Sequence, residues 1–141
     1  MSAVTPIAKN GVTYALFVSG RVSIDGITFL TQQTDEFQIG VMERPKGYKV
    51  KPHQHPPRDV VVHHTTEFLY VEEGKAEITV FDEQWNELHT HVVSTGDCLV
   101  FFRGGHALTM LERTRLLEVK QGPYPGDGGA KVFRGSEEIG R

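Results

Sequence analysis

Four of the seven histidines in this 141-residue chain fall between positions 53 and 64. His53 and His55 flank Gln54, and in an extended strand residues i and i+2 face the same way about 7 Å apart. Two imidazoles so placed can converge on one ion; the plainer alternative is a pair of exposed edge-strand histidines. Glu67 opens the run Glu67-Phe68-Leu69-Tyr70-Val71, in which Glu67, Leu69 and Val71 share a face. A charge at the end of an apolar face is costly unless it is paired or coordinated, and ligation to a metal removes that cost. His106 follows Arg103-Gly104-Gly105 and shares a strand face with Leu108 and Met110. Three imidazole nitrogens and one carboxylate oxygen, with no thiolate, suit one divalent transition metal ion (iron, manganese, zinc or nickel), leaving positions for water or substrate.

Other polar residues are candidates for the chemistry around such an ion. Lys51 shares the face of His53 and His55 if that strand is regular, and its ammonium suits a substrate carboxylate or phosphate. Arg103 is a second candidate for contact with substrate, from the loop beside His106. Glu118 and Lys120 alternate with Leu117 and Val119, so Glu118 is a candidate base if its face points inward and a solvated edge residue if it does not. His63 and His64 are adjacent, so at most one can look inward along a strand; His64 is kept as a weak catalytic candidate. His89 and His91 are expected on a solvated strand face, Cys98 as a small buried hydrophobe, and Phe68, Tyr70, Phe101 and Phe102 in the core or at a dimer interface.

Short strands are what position these residues. Lys75-Ala76-Glu77-Ile78-Thr79-Val80 alternates cleanly, with Ala76, Ile78 and Val80 on one face. Further strands are expected over 12–18, 26–31, 37–43, 66–71, 88–93, 98–102, 106–111 and 115–121, separated by glycine-bearing turns roughly every ten residues. No stretch shows a helical stripe. The segment 122–129, Gly-Pro-Tyr-Pro-Gly-Asp-Gly-Gly, is expected to be loop, because proline and glycine break ladders and helices alike. The reading is one domain over 1–141, with a core over about 12–121 and a loop and tail over 122–141. The hydrophobic share of 38% supports a packed globule. A net charge of −3, with both signs scattered, offers no footprint for nucleic acid or an anionic membrane. One cysteine excludes an internal disulfide. The first ten residues lack a signal-peptide pattern and no apolar run approaches a membrane span, so a soluble cytoplasmic protein is expected.

These residues resemble a known pattern. Gly47, five residues, His53-Gln54-His55, and then Glu67, six residues and Gly74 are similar to the first cupin motif; Gly96-Asp97 through Gly104 and His106 are similar to the second. The resemblance covers about residues 40–121. Pro45-Lys46-Gly47, Lys51-Pro52-His53, Gly104-Gly105-His106 and the run from Glu118 to Tyr124 further resemble small cupins of bacterial polysaccharide and sugar-nucleotide gene clusters. The resemblance implies an all-β, double-stranded β-helix (a jelly-roll barrel with little helix) and a homodimer. It also implies that His53, His55, Glu67 and His106 are metal ligands. Two departures stand out. The cupin carboxylate usually lies four or five residues after the second histidine, where Asp59 sits; Glu67 comes twelve after His55, beyond an enlarged connection over 56–66, but has the downstream glycine and the apolar strand. The second motif has Phe102 where proline is usual. The expected function is that of a small metal-dependent enzyme, isomerase- or epimerase-like, acting on a sugar or other polar oxygenated metabolite. The alternatives are an Fe(II) dioxygenase and a non-catalytic module that binds a carbohydrate or small acid.

Overall fold

A computed structural model describes residues 3–135. Ten strands dominate it: β1 (Val4–Lys9), β2 (Val12–Val18), β3 (Gly26–Phe29), β4 (Gly40–Glu43), β5 (Glu67–Glu73), β6 (Lys75–Phe81), β7 (Glu87–Ser94), β8 (Cys98–Phe101), β9 (Gly105–Met110) and β10 (Arg115–Lys120). A single helical turn, α1, spans Asp127–Ala130. All pairings are antiparallel. They form a five-stranded sheet in the order β1-β2-β8-β5-β10, a three-stranded sheet β7-β6-β9 and a separate ribbon β3-β4. The chain is therefore mostly β, as expected, in three sheets that do not close into a barrel.

The two larger sheets share one core. Ala15, Phe17, Leu69, Val71, Leu99 and Phe101 of the five-stranded sheet pack with Ala76, Ile78, Val80 and Val93 of the three-stranded one. The alternation that defines β6 holds, since Ala76, Ile78 and Val80 are each fully buried. In β5, Leu69 and Val71 are buried while Tyr70 and Glu72 are exposed, which puts Glu67 on the inner face with them. Leu16, Val18 and Val100 alternate with these inner positions and are buried as well, so the large sheet carries apolar side chains on both faces.

The strands depart from expectation in three places. β1 was not expected, because Pro6 interrupts its pattern; it lies at the sheet edge, where a missing N–H breaks no ladder bond, and it brings Ile7 into the core, which therefore begins before residue 12. The segment 44–66 forms no strand, because Pro52, Pro56 and Pro57 cannot donate to a ladder. His53 and His55 are thus carried on a loop and not on a regular strand. Finally, α1 lies inside the stretch expected to be irregular, where Gly129 N–H donates to Gly126 C=O at 3.1 Å and Tyr124 OH donates to the Asp127 carboxylate. No helix among the described residues is long and apolar enough to cross a membrane.

The turn after β6 ties the two sheets together. Asp82 is buried, and its carboxylate accepts from Lys9 Nζ of β1 at 2.6 Å, from the N–H groups of Gln84 and Asn86 at 3.0 and 2.9 Å, and from Asn86 Nδ2. Glu83 accepts from Tyr14 OH of β2 and from Arg103 Nε, both at 2.6 Å. The hydrogen bond from Lys9, then those from Asn86, hold the Asp82 carboxyl well below the usual carboxylate range.

Two stability measurements follow. In urea unfolding, Ile78→Ala costs about 2–5 kcal/mol as a core truncation, whereas Val61→Ala, at a side chain 73% exposed, changes stability by less than about 0.5 kcal/mol. A group whose folded pKa is depressed contributes stability that is full above its unfolded pKa and is lost as pH falls towards the folded value. Asp82→Asn is therefore expected to lower the melting temperature at pH 7, with the gap to the native chain narrowing as pH drops below about 4.

Candidate functional site

The inner face of the sandwich carries a polar cluster on the side bounded by β9 and β10. Strand register explains its membership. Glu67 pairs with Phe101 of β8 on one side and with Lys120 of β10 on the other, and Glu118 pairs with Leu69. Leu116, Glu118 and Lys120 therefore share the inner face with Glu67 and Leu69, while Leu117 and Val119 turn outward and are 50% and 47% exposed. The outward apolar pair lies beside Tyr70 and Phe68 on the outer face of the large sheet. That neighbourhood is why the polar members of β10 can face inward.

His106 reaches the cluster from the other sheet. The turn leading to it needs glycine twice. A Cβ on Gly104, which has φ +72°, would lie 2.2 Å from the Phe81 carbonyl oxygen, and one on Gly105 would lie 2.5 Å from the Trp85 ring. These close approaches set the start of β9, where His106 pairs with Val80. Its imidazole stacks on Phe101 with centroids 3.9 Å apart and planes within 4°. That stack aims Nε2 at Glu67 Oε2, 3.1 Å away. Glu67 and His106, read from the sequence as two of four ligands on separate strands, are thus brought together.

Two carboxyls stand side by side here in different electrostatic settings. The hydrogen bond from His106 pulls the Glu67 carboxyl well below the usual range against the effect of burial. Glu118 shares a hydrogen bond with Glu67, and this, followed by burial, pushes its carboxyl up. Lys120 Nζ lies 3.2 Å from Glu118 Oε1 and partly offsets the rise. Like charges in contact disfavour joint ionisation, so the Glu67 carboxyl is held down while the Glu118 carboxyl is pushed up. Two carboxyls with opposed shifts thus stand side by side.

The other expected site residues are placed as follows. His53 and His55 lie together, ring centroids 5.3 Å apart and edge to face. His53 Nδ1–H donates to the Lys51 carbonyl at 2.8 Å, which leaves Nε2 as the acceptor nitrogen, the arrangement a ligating histidine uses. Both are exposed on the 44–66 loop, as are Lys51 and Asp59. Among the described residues no three His, Cys, Asp or Glu side chains are grouped as a metal site; the structure joins Glu67 to His106 and His53 to His55, without joining the two pairs. Arg103 is held by Glu83 and lies over the Tyr14 ring. His64 lines a small cleft with Thr66 and Arg103, next to His63, whose N–H and ring both bond Glu36.

Some placements were not expected. His89 and His91 pair with Val80 and Ile78, so they share the inward face of β7; His91 stacks on Phe17 at 4.3 Å, which overturns the solvated-face reading. Aromatic Phe17 opposite supplies a partner that period-two patterning cannot see. Phe101 as the platform for His106 and Lys120 as the counter-charge to Glu118 also went unassigned; their signal is the register between β5, β8 and β10. Gln121 accepts from Thr66 N–H at 2.7 Å, and its Nε2 is buried without a partner among the described residues.

No protein-family model, curated protein or solved structure matches this chain. The cluster itself makes a titration testable. By carboxyl carbon NMR, Glu118 is expected to titrate above an ordinary glutamate in the native chain and to fall back in Glu67→Gln, which removes the adjacent charge; an unchanged Glu118 titration contradicts the pairing.

Proposed function

We propose that the polar side of the sandwich is the active site of a small metal-supported enzyme, isomerase- or epimerase-like, acting on a sugar or another polar oxygenated metabolite within a cupin-type jelly roll. The observation that carries this reading is the inner-face cluster in which His106 Nε2 lies 3.1 Å from Glu67 Oε2, with Glu118 and its partner Lys120 beside them. Proton transfer at a carbon next to a carbonyl needs such a set, an acid and a base within reach of one substrate.

The donor types present fit a divalent ion. Glu67 offers an ionised oxygen and His106 an imidazole nitrogen, and His53, with Nδ1 committed to a backbone carbonyl, offers Nε2. Glu67 and His106 would hold the ion, with His53 and His55 completing the set from the 44–66 loop. When bound, the ion polarises a substrate carbonyl or hydroxyl as a Lewis acid. The remaining work belongs to the side chains. Glu118 delivers and recovers the proton, since its carboxyl is the one of the pair that is pushed up. Lys120 orients Glu118 and meets developing negative charge on the substrate oxygen. Phe101 fixes the His106 ring plane.

Elemental analysis after metal-replete expression tests the reading. About one equivalent of a transition metal per chain is expected in the native protein, with most of it lost in Glu67→Ala/His106→Ala and in His53→Ala/His55→Ala. Glu118→Gln should keep the metal and lose at least about a hundredfold of any solvent-deuterium exchange into substrate. Absence of stoichiometric metal, or metal retained in Glu67→Ala/His106→Ala, overturns it.

A further inference from the structure

The opposite side of the sandwich, bounded by β1 and β7, opens into a cavity of about 650 Å³. At its nearest it lies two strand spacings from the Glu67 cluster, roughly 10 Å, because β2, which carries Phe17, is separated from β5 by β8 alone. Its volume is within the range of small-molecule sites.

The lining sorts into an apolar floor and one free charge. Phe17, Val18 and Val93 line it, and the His91 ring lies against Phe17 with planes 24° apart. Burial pushes the His91 imidazole down, towards its neutral form, and neither ring nitrogen has a hydrogen-bond partner among the described residues. The carboxylate in the lining, Asp97, is already engaged: Oδ1 accepts from Gly20 N–H and Oδ2 from Ser94 N–H, both at 2.9 Å. Arg21, at the rim, pairs with no carboxylate among the described residues.

Arg21 sits on a braced turn. Val22 N–H donates to the Ser19 carbonyl at 3.0 Å, and Arg21 N–H donates to Ser19 Oγ at 3.2 Å. Gly20 lies so close to Gly96 that a Cβ on it would meet the Gly96 carbonyl oxygen at 2.5 Å. The cation is thus presented by backbone anchored to the far wall of the cavity, which lowers the ordering cost of binding.

We infer that this cavity is a second binding site, for a small organic acid with a flat apolar body. The body lies over the floor formed by Phe17 and Val93, beside Thr5 and the His91 ring, the acid group meets Arg21, and His91 supplies one neutral hydrogen bond. The site is independent of the proposed metal chemistry, because no residue is shared with the Glu67 cluster.

Titration with two fluorescent probes tests it: 8-anilinonaphthalene-1-sulfonate, and the uncharged N-phenyl-1-naphthylamine with the same aryl body. The native chain is expected to take up one sulfonate probe with saturation. Arg21→Gln should weaken the sulfonate probe about tenfold while changing the neutral one less than about twofold. Thr5→Trp, which crowds the floor from β1, should weaken both, and His91→Ala serves in its place if that variant does not fold. Glu67→Gln should leave both unchanged. Absence of saturable binding overturns the inference, as does sulfonate binding that Arg21→Gln leaves intact. Amide shifts at Tyr70 and Leu117, with none at Phe17 and His91, would assign the probe to the outer sheet face and overturn it too.

Discussion

A carboxylate on the inner face of an apolar sandwich must be compensated, and Glu67 is compensated by a histidine from the facing sheet. The side chain is 17% exposed and that of His106 31%, so neither is fully solvated and neither can be left alone without a penalty of order several kcal/mol. Their contact lies where the two sheets approach along β5 and β9, and Phe101 sits beneath it. The charge on Glu67 pushes the neighbouring Glu118 carboxyl up, and Lys120, 3.2 Å from Glu118, partly offsets that rise. The opposed shifts of the two carboxyls follow from this one constraint.

The ends of the strands are arranged around it. The turn holding Asp82 and Glu83 fastens β1, β2 and the start of the 103–106 turn to the end of β6. Gly104 and Gly105 let that turn pass under the Phe81 carbonyl and the Trp85 ring. Without those approaches His106 would enter β9 in another position, and Nε2 would not meet Glu67. The two open sides of the sandwich then differ in character. One presents paired carboxyls, an imidazole and an ammonium; the other presents Phe17, His91 and a lone guanidinium.

Much of this was legible in the residues. The alternation of Ala76, Ile78 and Val80 placed β6, and the face shared by Glu67, Leu69 and Val71 placed the carboxylate inward. His106 was legible too, from its glycines and from Leu108 and Met110 two and four residues on. Three things were not. Pro6 hid an edge strand that period-two reasoning discounts. The inward face of β10 was ambiguous because its apolar residues pack on the outer side of a sheet that is apolar on both faces, so hydrophobicity alone points the wrong way. His53 and His55 resembled a strand pair by spacing, yet Pro52, Pro56 and Pro57 around them keep this stretch out of the sheets.

The central claim is that Glu67 and His106 form the fixed half of a metal centre, with the 44–66 loop bringing its other half. Paramagnetic broadening by Mn(II) in an amide NMR spectrum tests it most directly. Sub-stoichiometric Mn(II) is predicted to erase the signals of Glu67, His106, Glu118, His53 and His55 together, while those of Arg21 and His91 persist. Broadening confined to residues 53–55, with Glu67 and His106 untouched, would contradict it.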